Sequence, residues 1–186
     1  MTLLLIPCTG AIFSSPATAQ IKTPQRVSPC KASQLSAAED RKESDELDGG
    51  VGNHAMTIAV QNRTSSACVL RGIPTVTFLD RANHPFPVQV CSNCPDYLFP
   101  SQPVKEILLE SKKSAYLLVG YNINHGAGPC RNPIAFSLHL SGQREPLRGG
   151  LAGMLRSCGG VVITPFLEKP PREGYMFEVD PANPEK

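Results

Sequence analysis

Cys91 and Cys94 stand three positions apart in the stretch VQVCSNCPDYLFP. A Cys-x-x-Cys pair serves three kinds of chemistry: thiol–disulfide exchange, half of a zinc site, or a small cystine ring. Exchange catalysis needs the first thiol at a helix N-terminus, where free N–H groups and the helix dipole stabilise thiolate. Here Pro95, Asp96 and Pro100 follow, with no apolar repeat at helical spacing. Asp96 also sets a negative charge beside the pair, which disfavours thiolate. A structural zinc needs a second pair of ligands at similar spacing. His84 and His125 are the nearest candidates, and neither lies in a ligand motif. The spacing therefore points to a local disulfide that orders a loop, with thiol–disulfide or metal handling through Cys91 and Cys94 as the alternative.

The other reactive side chains form no recognisable site. His54, His84, His125 and His139 are nowhere two or four residues apart, so none makes the usual ligand pair of a strand or helix. No nucleophile elbow, phosphate loop or dinucleotide fingerprint occurs. Asn62-Arg63-Thr64 fits a glycosylation sequon, but it coincides with the end of a strand pattern and is read as a turn. No catalytic residue, metal ligand or cofactor is assigned, and the chain is read as non-enzymatic.

The cysteines also indicate a compartment. The first residues, MTLLLIPCTGAIFSSPATAQ, carry no charge, run apolar from Leu3 to Phe13, and end in a small-x-small pattern at Ala17-Thr18-Ala19. That is the form of an export signal cleaved after Ala19, although no basic residue precedes Leu3. Pro7 before Cys8, after a short apolar run, argues against a lipid-modified cysteine. Removing residues 1–19 leaves Cys30, Cys68, Cys91, Cys94, Cys130 and Cys158, an even set suited to disulfides in an exported protein. No later run reaches the length of a membrane span. Net charge is +2, with no basic block, which leaves out the electrostatic footprint of a nucleic-acid binder.

What must position these residues is a set of short strands. HAMTIAVQN alternates Met56, Ile58 and Val60 against Ala55, Thr57 and Ala59. In CVLRGIPTVTFLD, Gly72 and Pro74 break the run and Val76 and Phe78 share a face. FPVQV reads as an edge strand because of Pro85 and Pro87. VKEILLE and SAYLLVGYN follow, then PIAFSLHLSG with Ile134, Phe136, Leu138 and Leu140 aligned, then GGVVITPFLE. Upstream, a short strand is expected near Ala32 to Leu35. Ser36-x-x-Glu39 could cap a helix, but residues 36–52 are read as a solvated loop because no apolar face repeats there. Eighteen prolines and no convincing helix complete an all-β, antiparallel sandwich pattern. The expected organisation is a signal peptide over 1–19, a flexible lead over 20–29, a sandwich domain over 30–167, and a Pro-rich tail over 168–186 with YMFEV as an extra edge strand.

Cys30 with Leu35, Gly52, Asn62, then Cys68-Val69-Leu70-Arg71-Gly72-Ile73-Pro74 and Asp80, and later ILLESKKSAYLLVGYN, Cys130, and Cys158-Gly159-Gly160 before VVITPF form one set. As a set they resemble a bacterial family, the exported domain of unknown function 4232. The resemblance spans about residues 30 to 167 and implies an immunoglobulin-like antiparallel β-sandwich exported to the cell envelope, with no activity attached. The chain departs from the pattern at Ser111-Lys112-Lys113, where the family tends to place Pro-Gly; a turn without obligatory positive φ is expected there. Cys91 and Cys94 lie in a variable part of the family. Within the pattern, if Cys30 opens a strand antiparallel to the one ending at Asn62, the turn holding Cys68 is its neighbour, which pairs Cys30 with Cys68. The same reasoning pairs Cys130 with Cys158, provided residues 141–157 bring the chain back across the sandwich.

The functional expectation is a disulfide-stapled module, periplasmic, envelope-bound or extracellular, that binds or organises an unidentified envelope or extracellular ligand through its loops. Loops carry function on sandwiches. The segment 83–103 is long, Pro-rich and aromatic, and its Phe86, Tyr97 and Phe99 are the candidate binding residues. Neither ligand nor oligomeric state is encoded legibly.

Overall fold

A computed structural model describes residues 27–45, 52–95, 100–123, 130, 132–152, 155–156 and 158–170. The expected signal peptide, most of the expected lead, His125, Tyr97, Phe99 and the YMFEV stretch lie outside the described residues. The chain is nearly all-β. Its strands are β1 (Leu35–Glu39), β2 (Asn53–Asn62), β3 (Cys68–Leu70), β4 (Thr75–Leu79), β5 (Val90–Ser92), β6 (Ile107–Leu109), β7 (Ser114–Asn122), β8 (Ala135–His139), β9 (Leu147–Gly150) and β10 (Val161–Ile163). One short helix, α1 (Arg41–Asp45), follows β1.

Three sheets result. The largest runs β1-β2-β7-β10-β5, the second pairs β3 with β6, and the third runs β4-β8-β9. Every pairing is antiparallel except β10 with β5. Alternation decides which side chains meet. Met56, Ile58 and Val60 from β2 and Leu117 and Val119 from β7 share one buried cluster with Leu70, Phe78, Leu109, Phe136 and Leu138 from the two smaller sheets. The opposite face of the central pair is also covered: Ala55, Thr57 and Leu118 are buried. The middle of the pair, Ala55–Val60 and Leu117–Gly120, accordingly carries a single polar side chain, Thr57.

Several boundaries depart from the sequence reading. Ala32–Gln34 is a single 3-10 turn rather than a strand. Residues 35–45 are not a loop: Ser36 and Glu39 both lie in β1, which pairs with β2 along its whole length, and the helix begins only after Asp40. The signal was faint because β1 buries only Leu35 and Ala37 on the core. Asp40 caps α1, accepting from the Glu43 N–H through Oδ1 at 3.4 Å. β9 has no alternation to betray it. Its Gly149 sits where an added Cβ would lie 2.6 Å from the Ala37 carbonyl oxygen and against the Phe136 ring. Ile134 is 39% exposed and does not join the face of Phe136, Leu138 and Leu140. Finally, Lys112 adopts φ +62 at the third position of the Glu110–Lys113 turn, closed by Lys113 N–H to the Glu110 carbonyl at 3.2 Å. The Pro-Gly geometry is thus retained with a lysine in the glycine's place, held by its N–H to the Asn62 carbonyl and its Nζ to the Arg63 carbonyl.

Candidate functional site

The segment 83–103 begins at a tight turn. The Asp80 carboxylate accepts from the Ala82 and His84 N–H groups through Oδ1, at 2.8 and 2.9 Å, and Asn83 takes φ +62. Asn tolerates that left-handed conformation because its short polar side chain imposes little crowding. The chain then docks on the outer edge of β4, with Pro85 bridging to Leu79 and the Phe86 N–H donating to the Phe78 carbonyl at 2.7 Å. Prolines fit such an edge because one side of the strand needs no donor. Phe86 itself is half-buried and packs on the core, together with Val88 and Val90. Its ring therefore anchors the entrance of the segment instead of standing out as a binding aromatic.

Beyond Val88 the segment changes sheets. The strand expected over FPVQV is displaced to Val90–Ser92, which pairs in parallel with Val161–Ile163 at the edge of the largest sheet. Residues 85–92 therefore cross from the β4 edge of one sheet to the β10 edge of another, closing that side of the molecule. Long-range pairing of this kind leaves no mark on local periodicity.

Cys91 sits in β5 opposite Val162, and a disulfide joins it to Cys94. Both are half-exposed. Between them Asn93 takes φ +57 and becomes a hub. Its N–H donates to the Ile163 carbonyl at 2.7 Å, tying it to β10. Its side-chain oxygen accepts the Gln102 N–H at 2.8 Å and its amide nitrogen donates to the Gln102 carbonyl at 3.0 Å. The Asn93 carbonyl accepts from Ser101 Oγ at 3.2 Å. One side chain thus imitates a β-bridge and holds together the two ends of the chain between 93 and 102.

The other two cystines lie at opposite ends of the β2–β7 pair. Cys30 is joined to Cys68, Cα to Cα 4.8 Å, beside the turn where Cys30 N–H meets the Val69 carbonyl. Cys130 is joined to Cys158, whose N–H donates to the Asn122 carbonyl at 2.9 Å. Cys30, Cys68 and Cys158 are buried.

Of the described histidines, His54 stacks on Tyr121 with centroids 5.7 Å apart, His84 lies 3.7 Å from the Asp80 carboxylate, and His139 is exposed at the end of β8. They do not converge. Among the described residues, no group of three or more His, Cys, Asp or Glu could hold a metal. Among the described residues, Tyr116 has its pKa raised by burial, with the negative charges of Asp40 and Glu43 acting in the same direction.

Sequence reasoning missed the most connected polar side chain. Asn62 is fully buried; its amide nitrogen donates to the Ser66 and Leu109 carbonyls at 2.8 and 3.0 Å. Its side-chain oxygen accepts from Thr64 N–H and Oγ1 at 3.0 and 2.7 Å. The sequon reflects this internal pairing: Thr64 is present because it bonds Asn62, and the amide is enclosed. A polar residue ending an otherwise apolar strand was the available signal.

Among the described residues, no helix is long and apolar enough to cross a membrane. No curated protein and no solved structure matches the chain significantly. A family model does match, over residues 30–146, taking in Cys30, Asn62, the Cys68–Pro74 stretch, the Lys112 turn and Cys130. The chain belongs to that family, described as a domain of unknown function, DUF4232.

Proposed function

We propose that the protein is an exported, non-enzymatic module of immunoglobulin-like β-sandwich type that binds a partner at the cell envelope through the segment 83–103. Three disulfides suit an oxidising compartment. A single core shared by all three sheets suits a sandwich, with the β1-β2-β7-β10-β5 sheet as one layer and the two smaller sheets as the other. The observation that carries the binding reading is the reciprocal Asn93–Gln102 pairing beside the Cys91–Cys94 ring. A loop held at both ends presents its residues with less ordering entropy to lose on binding. Tyr97 and Phe99 belong to this loop by sequence.

The test is site-specific photo-crosslinking in intact cells, with a benzophenone amino acid at Tyr97, at Phe99, and at exposed Ser65 as control. Discrete adducts from 97 and 99 that are missing from 65 support the reading. Identical patterns at all three positions defeat it.

The half-exposed Cys91–Cys94 pair favours a second reading, thiol–disulfide or metal handling. Against it, β5 leads into Pro95, and among the described residues no helix begins beside the pair to stabilise thiolate. Catalysed reduction of an insulin disulfide by dithiothreitol, lost in C91S, is the result that puts this reading first.

A further inference from the structure

The three cystines differ in what a reductant can reach. Both sulfurs of Cys30–Cys68 are buried, and Cys158 is buried with a half-exposed partner, whereas Cys91 and Cys94 are each half-exposed. They differ also in what they hold. Cys30 and Cys68 are 38 positions apart and Cys91 and Cys94 only 3. Opening the short ring releases little chain entropy, so the fold survives it. Its two thiols stay within one short segment, and re-forming the bond requires no long loop to be gathered.

What the short ring encloses is Ser92 and Asn93. Asn93 is held at φ +57, a left-handed conformation that asparagine tolerates better than most residues but that the free chain occupies only part of the time. The same residue carries the bond to Ile163 on β10 and the paired bonds to Gln102. Ring, backbone conformation and pairing all converge on one residue.

We infer that the Cys91–Cys94 disulfide is a redox-responsive latch: its oxidation state is coupled to the Asn93–Gln102 pairing and to the docking of β5 on β10. A dithiol reductant opens it. One thiolate of the reductant attacks Cys91 or Cys94, forming a mixed disulfide and releasing the other cysteine as thiol. The second thiol of the reductant then displaces the remaining cysteine and closes its own disulfide, so two electrons and two protons pass to the protein. With the ring open, Asn93 relaxes and the pairing weakens. Coupling of this kind is reciprocal, so removing the pairing must ease reduction by the same factor.

This deepens the binding reading by adding regulation of the same segment, but the coupling is measured without any partner, so either can fail alone. Native protein is treated with graded dithiothreitol; mass spectrometry identifies which disulfide has opened, and NMR follows amide exchange at Asn93 and Gln102. The expected results are opening of Cys91–Cys94 first and exchange at both amides faster by about tenfold beyond any change at Ile58 and Leu117, which report global stability. C91S/C94S reproduces the reduced state without reductant. Asn93→Gly, which keeps the left-handed backbone but deletes the paired side chain, shifts the reduction equilibrium by the same factor. Equal exchange in the oxidised and reduced forms, or earlier opening of either other cystine, overturns the proposal.

Discussion

The ring of Phe136 occupies the space that a side chain at Gly149 would need, across the β8–β9 ladder where the two residues pair directly. The Ala37 carbonyl oxygen limits the same space from β1, where β9 closes against the edge of the largest sheet. Gly149→Ala must therefore push the Phe136 ring or part β9 from β1. The expected loss is about 1–3 kcal/mol, the usual cost of overpacking, read as a lower urea midpoint with unchanged m.

Asn62→Ala leaves the buried Leu109 carbonyl and the Thr64 N–H without the partners they now have, while the Ser66 carbonyl keeps Thr64 Oγ1. An orphaned buried polar group costs about 1–3 kcal/mol, so stability should fall by about that much. Asn62→Asp is also expected to be destabilising, because it turns a carboxylate oxygen toward two carbonyl oxygens. Thermal unfolding of both variants checks this, and wild-type stability in Asn62→Asp contradicts it.

Lys112→Gly runs the other way. Lysine at φ +62 bears a left-handed cost of about 1 kcal/mol that glycine does not. The lost Nζ bond to the exposed Arg63 carbonyl offsets only part of it. A net gain of about 0.5 kcal/mol is expected, visible as a raised melting temperature.

The cystines should rank by loop size. Replacing Cys30 and Cys68 by alanine is expected to cost about 4 kcal/mol, and C91S/C94S about 2 kcal/mol or less, since loops of such different length constrain the unfolded chain differently. Urea titrations of the two double variants test the order. Reversal of that order refutes it.

Tyr116 gives the alkaline profile its sign. Its pKa is raised above 10.0 in the folded chain by burial, then by Asp40 and Glu43. The folded state thus favours the neutral phenol. That stability is fully present below pH 10.0 and is lost as the pH climbs from there through the raised folded value. Tyr116→Phe has nothing to ionise and should show a flatter loss of stability over that window, followed by urea unfolding at successive pH values.

How much of this was legible follows from the range of each signal. β2, β4, β7 and β8 are visible in the sequence because Met56-Ile58-Val60, Val76-Phe78 and Phe136-Leu138 alternate within a few residues. The Pro-Gly substitute at Ser111-Lys112 was visible as a departure, but its φ was set by contacts with Asn62 and Arg63, far away in the chain. β9 was invisible because Gly149 answers to the closeness of Phe136 and Ala37, which no local period records. At the candidate site, the cysteine spacing and the prolines were readable. The role of Asn93 was not, since its partners Ile163 and Gln102 are supplied by the fold. Phe86 looked like an exposed aromatic because its packing on the shared core depends on the other sheets, which no local period records.

The parallel pairing of Val90 with Val161 also sets a timetable. A chain made from its N-terminus delivers Cys30 and Cys68 together early, whereas β5 must wait for residues 161–163 before its partner strand arrives. Until then the edges of β5 and β7 that β10 joins stand open, and the nascent chain is exposed to mispairing. Ile163 is thus a late point of closure: a chain halted before it has its Cys30–Cys68 staple but an unclosed largest sheet.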